Sequence, residues 1–165
     1  MTILVSACAA DKAPPAPPPP PPPVVNPVTH KPPPAPAYPG QKTKVQSAVD
    51  AERLLNNVGL TLQWISWDTR GSVAVSRNRG LWSLRGSQTE ANGPGRLFLD
   101  GSITEIGDGY FTFEGTIRIS DTPDRGRNCE KKKIWHFAVT QNRKYYRLRE
   151  FEWCDDLTDY IDIYF

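Results

Sequence analysis

The sequence predicts a mainly β fold: an eight-stranded antiparallel meander, closed as a barrel or folded as a two-layer sandwich, with one N-terminal helix and a disordered Pro-rich tether ahead of it. Three observations carry this. From Leu60 onward apolar residues alternate with polar ones at a period of two. The alternating runs are short and are separated by turn residues such as Asp68-Thr69-Arg70-Gly71 and Gly107-Asp108-Gly109. Of the 17 prolines, 15 fall between Pro14 and Pro39, so the residues behind them are almost free of proline.

The elements follow in order. Residues 9–40 form the tether, whose run Pro17 to Pro23 favours polyproline II at about 3.1 Å per residue and suits a spacer better than a ligand for aromatic grooves. The β-domain occupies 41–165, one domain's worth of chain. A helix is expected over 44–58, with Ala48, Ala51, Leu55 and Val58 as its apolar stripe, Thr43 or Ser47 as its cap, and Gly59 past its end. Strands are expected over 60–67, 72–76, 81–88, 96–105, 110–120, 131–140, 144–153 and 159–165. In 144–153 the apolar parity shifts between Leu148 and Phe151, which predicts a bulge near Arg149 or Glu150. Eight sequential strands with short links curl up to remove open edges, and Trp64, Trp82, Phe111, Phe113, Trp135 and Phe137 are bulky enough to fill the interior.

Val5-Ser6-Ala7-Cys8 resembles the bacterial lipobox, in which small residues precede a cysteine that is lipidated before signal peptidase II cuts in front of it. The resemblance implies that 1–8 is a truncated signal, that Cys8 carries lipid, and that the membrane is a partner through this anchor. A signal needs a basic n-region and a longer apolar run, which places the true start upstream of Met1. Ala9 after the cysteine, where an aspartate would mark inner-membrane retention, implies an outer-membrane lipoprotein facing the periplasm or the cell surface.

Cysteine arithmetic agrees with an exported protein. With Cys8 set aside, Cys129 and Cys154 form an even pair at the open end of an expected hairpin turning at Asn142-Arg143. A disulfide there would contribute about 3 kcal/mol and requires an oxidising compartment. Two unrelated buried thiols are the alternative; a zinc set lacks ligands, and no metal or cofactor is expected.

The order of elements is similar to that of calycin-type barrels, as an analogy of architecture without the lipocalin Gly-x-Trp signature. From Phe111-Thr112-Phe113-Glu114-Gly115 through Cys129, Lys144-Tyr145-Tyr146-Arg147-Leu148 and Cys154 to Asp159-Tyr160-Ile161-Asp162-Ile163-Tyr164-Phe165, the C-terminal half resembles small exported proteobacterial proteins of unassigned function. That resemblance brings no catalytic residues with it.

Charge narrows the partners. The domain carries 18 basic against 17 acidic residues, too little net charge to make nucleic acid a default partner. Yet nine basic residues and one acid lie between Arg125 and Arg149, and six acids with no base between Glu150 and Asp162. Complementary charges on neighbouring strands account for such blocks; so does an interaction surface, for which Arg143, Lys144, Tyr145, Arg147, Tyr160 and Tyr164 are the candidates. No nucleophile elbow or phosphate-binding glycine loop is present, and His136 reads as a hydrogen-bonded strand residue rather than a general base. The acids Asp155, Asp156, Asp159 and Asp162 lack the spacing of a calcium loop. The expectation is a non-enzymatic, lipid-anchored protein-interaction or envelope-assembly module with an envelope protein as partner. A small-ligand carrier and a lysozyme-inhibitor-like envelope protein are the alternatives, the latter on architecture without that group's motif residues.

Overall fold

A computed structural model describes residues 41–165; the lipobox at Cys8 and the tether over 9–40 lie outside the described residues. The elements are β1 (Lys44–Val45), α1 (Ala48–Leu55), β2 (Leu60–Leu62), β3 (Ser72–Asn78), β4 (Leu81–Thr89), β5 (Arg96–Gly107), β6 (Tyr110–Ser120), β7 (Asn128–Ala138), β8 (Tyr145–Leu148) and β9 (Ile161–Tyr164). Strands β3 to β9 pair in sequence order, each antiparallel to the next, and β2 adds to the far side of β9. A single antiparallel bridge, Leu60 to Gly71, then joins β2 to the start of β3 and nearly closes the sheet into a barrel of eight antiparallel strands. The predicted mainly β meander is therefore the observed one, and of its two forms the barrel is adopted.

Closure explains Gly59. It was expected to end a helix, but its φ of 103° turns the chain into β2, where any Cβ would strike the Gly71 carbonyl across the closing bridge. The helix itself is shorter than expected at both ends. Lys44–Val45 instead pairs in parallel with Glu105 and Ile106 of β5, Ser47 caps the helix by accepting from the Asp50 N–H, and Asn56 ends it. The inner face is Asp50, Ala51 and Leu54; of the predicted stripe Ala51 is buried and Leu55 half-buried, while Ala48 and Val58 are exposed. A buried aspartate on that face hid it from any hydrophobic pattern.

Strand limits also change: the strand expected over 131–140 runs from Asn128 to Ala138, and three others are shorter than expected. The strand over 60–67 stops at Leu62, because the Ile65 and Ser66 N–H groups turn back to the Leu62 carbonyl while the Gln88 side chain accepts from the Leu62 N–H. The strand over 144–153 stops at Leu148, and no bulge occupies Arg149 or Glu150: the parity shift marks the chain leaving the sheet. The bulge lies in β5 instead, between Ile103 and Glu105. The last strand is likewise shorter, Ile161–Tyr164, with Asp159 and Tyr160 preceding it.

The interior is filled. Phe111, Phe113, Trp135, Phe137 and Tyr146 are fully buried, with Phe111 stacked on Phe137 at 4.8 Å and edge-on to Tyr146 at 5.3 Å. Room for them comes from Gly101 and Gly115, which face each other across β5 and β6 beneath the Phe113 ring, and the Trp135 indole N–H donates to the Gly115 carbonyl at 2.9 Å. Of the bulky residues expected inside, Trp64 is the exception; it sits at the rim and donates to Asp159 at 3.0 Å.

Candidate interaction surface

Strands β8 and β9 pair Tyr145 with Tyr164 and Arg147 with Asp162, so these four side chains share the outer face of the barrel while Tyr146, Leu148, Ile161 and Ile163 point inward. Arg147 grips Asp162 through two parallel hydrogen bonds, Nε to Oδ1 and Nη2 to Oδ2, both 2.7 Å. Asp162 is completely buried under this guanidinium; burial pushes its carboxyl above the usual range, and the bonds from Arg147 oppose that. The hydrogen bond to Asp162 raises the already high pKa of Arg147.

The planar faces of Arg147 are covered by aromatic rings: Tyr160 at 4.2 Å, Tyr145 at 5.1 Å and Trp67 at 5.7 Å. The stack continues from Tyr145 edge-on to Tyr164 at 5.3 Å, and Arg70 lies over Tyr164 at 4.1 Å. Tyr164 exchanges a hydrogen bond with Thr61 of β2 at 3.1 Å, and Arg143 donates to the Tyr145 hydroxyl at 2.5 Å. Arginines and tyrosines from four segments thus form one laminated strip across β2, β9 and β8.

The structure places the six sequence-derived candidates as follows. Arg143, Tyr145, Arg147, Tyr160 and Tyr164 all join this strip. Lys144 makes none of these contacts: it precedes β8 and lines a neighbouring cleft of about 270 Å³ with Arg53, Gly109, Val139 and Phe165, which Arg143 also borders. Trp67, Arg70 and the anchoring Asp162 were missed. Trp67 and Arg70 lie on an irregular loop about 80 residues upstream of β8, and no local pattern links the two.

Beside the strip, the loop between β8 and β9 is held to the barrel. Cys154 is joined to Cys129 of β7 by a disulfide, and Arg127 donates twice to the buried Asp159, at 2.9 Å each, and twice to Asp155, at 2.8 Å each. Three of the four acids weighed as a calcium set are bound to arginines, Asp155 and Asp159 to Arg127 and Asp162 to Arg147. His136 is exposed and meets Glu150 at 2.5 Å; burial pushes Glu150 up, but bonds from the His136 ring and main chain outweigh it and hold its carboxyl below the usual range.

Fold and surface together define a small, filled antiparallel β-barrel whose chemistry lies on its outside, in an arginine and aromatic strip. The chain belongs to the PM1083 family, whose model matches residues 42–165. It is 34% identical over 129 residues to the uncharacterized protein PM1083 of Pasteurella multocida, covering 77% of this chain and 80% of that protein. No solved structure matches it.

Proposed function

We propose that this protein is a non-enzymatic protein-interaction or assembly module of the bacterial cell envelope, anchored by lipid at Cys8 and carried on its proline-rich tether. The observation that carries the reading is the strip itself. Arginine and aromatic side chains are the residues most enriched at the energetic centres of protein interfaces, and here they are pre-stacked, so little side-chain entropy is lost when a partner covers them. Trp67, 46% exposed, projects beside it as an anchor. The filled interior favours this reading over a carrier, which needs a hollow barrel.

Two experiments test it. A photo-crosslinking residue at Trp67, in the chain expressed with its full natural leader in its native host, should capture one envelope protein, and Arg70→Glu with Arg143→Glu should abolish that product; capture that ignores both charge reversals overturns the strip as the contact surface. Cys8→Ala should release the domain from the membrane fraction, and continued membrane association overturns the anchor.

A further inference from the structure

At the helix end of the barrel α1, the turn between β5 and β6, the link between β7 and β8, and the residue after β9 meet round a cleft of about 270 Å³. Main-chain bonds tie its walls together. The Val139 N–H donates to the Gly109 carbonyl at 2.8 Å, the Phe165 N–H to the Lys144 carbonyl at 3.2 Å, and the Arg143 N–H to the Thr140 carbonyl at 3.1 Å. The Gly109 N–H in turn donates to the buried Asp50 at 3.1 Å. The cleft is therefore formed before any ligand arrives, and filling it orders little of the protein.

Its lining divides into two chemistries. Val139 and Phe165, both half-buried, make the apolar part. Arg53 lies over the Phe165 ring at 4.6 Å, and its charge is answered by Asp50 at 3.0 Å, so it serves as floor. Arg143 and Lys144 are different. Both are exposed, and among the described residues neither joins a carboxylate in an ion pair. Arg143 is nonetheless oriented, because its guanidinium donates to the Tyr145 hydroxyl. Asp108, the acid in this lining, is exposed and pairs with neither cation.

We infer that this cleft binds a carboxylate carried on a compact apolar body, with the charge held between Arg143 and Lys144 and the body laid against Val139 and Phe165. A guanidinium presents a planar fork that matches a carboxylate, and the neighbouring ammonium adds a second charge. An inorganic anion would leave the apolar wall uncovered, and an alkylammonium would meet two like charges. The cleft is smaller than the roughly 300 Å³ at which sites for drug-sized ligands begin, which limits the body to about one side chain. A free aliphatic or aromatic acid and the C-terminal residue of a peptide chain share this chemistry. The cleft borders the arginine and aromatic strip at Arg143, but the inference does not rest on that strip being an interface.

The test follows amide chemical shifts of the full chain. Phenylpropionate should shift Gly109, Val139 and Lys144 saturably in the millimolar range, and phenylpropionamide, acetate and inorganic phosphate should each bind at least about tenfold more weakly. Lys144→Glu should weaken phenylpropionate about tenfold with the barrel's shifts otherwise intact. Should that variant misfold, Lys144→Gln supplies the same loss of charge. Acetyl-Gly-Phe with a free carboxylate separates the two sources: binding tighter than phenylpropionate assigns the cleft to a chain terminus, and weaker binding assigns it to a free acid. The amide or phosphate binding as tightly as the acid, shifts confined to Trp67 and Tyr160, a Lys144→Glu variant that binds as the parent does, or no saturable shift would each overturn the inference. Crosslinking through Trp67 reads the strip separately and is untouched by any of these outcomes.

Discussion

The two ends of the barrel each bury an aspartate completely, Asp50 at one and Asp159 at the other, and they hold it in different ways. Asp50 sits on α1 and accepts from the Ser47 hydroxyl (2.6 Å), the Tyr146 hydroxyl (2.6 Å), the Gly109 N–H (3.1 Å) and Arg53 (3.0 Å). Burial raises its pKa, but these four donors outweigh burial and hold the carboxyl below its usual range. Asp159 accepts from Arg127 and the Trp64 indole, and there burial wins, pushing the carboxyl up although a guanidinium lies against it. Four donors, Arg53 among them, converge on Asp50, whereas Asp159 lies deeper in the wall beside a second carboxylate, so the balance between donors and burial tips in opposite directions. The helix end needs no covalent help, whereas the loop end, with no strand pairing of its own, carries the disulfide.

Asp159→Ala leaves Arg127 buried with the more exposed Asp155 as its one remaining charged partner beside the Thr122 carbonyl, and should cost about 3–5 kcal/mol by urea unfolding. A cost under about 1 kcal/mol would mean that the loop end is held by something else. Replacing Cys129 and Cys154 together by alanine should cost about 3 kcal/mol, since the bond closes 25 residues, and should raise hydrogen exchange in the loop while leaving α1 unchanged. Tyr146→Phe removes one of four donors to Asp50 and should cost about 2 kcal/mol.

The subtlest prediction concerns pH. Asp50 is held below its ordinary 3.8, so its contribution is present above pH 3.8 and is lost as pH falls through the lower folded value. Asp159 is held above 3.8, so its contribution is present below pH 3.8 and is lost as pH rises through the raised value. On acidification, therefore, the stability gap between parent and Asp50→Asn should narrow while that between parent and Asp159→Asn widens. Gaps that move together in urea titrations from pH 6 to pH 3 would show that the two carboxylates are held alike.

Much of the barrel was legible from alternation alone. Strand β6 has the predicted limits, Tyr110 to Ser120, because each side chain there faces either core or solvent and the turn at Gly107-Asp108-Gly109 sets its start. Pairing Cys129 with Cys154 followed from counting. The candidate surface was legible in part: Tyr145, Arg147 and Tyr164 were read from their composition on neighbouring strands, while Trp67 and Arg70 depend on where an irregular loop comes to rest.

Local order was thus determined by the sequence itself: strand periodicity, turn positions, glycine and proline placement, and cysteine number act over a few residues or by arithmetic. The tertiary structure alone decided that β2 adds to β9 and meets Gly71, that the inner face of the helix includes an aspartate, and that β8 pairs with β7 over only two residues. Each depends on groups far apart in the chain. A closing bridge, a buried carboxylate and a two-residue strand pairing are defined by what arrives from elsewhere to meet them, and no local pattern records that arrival.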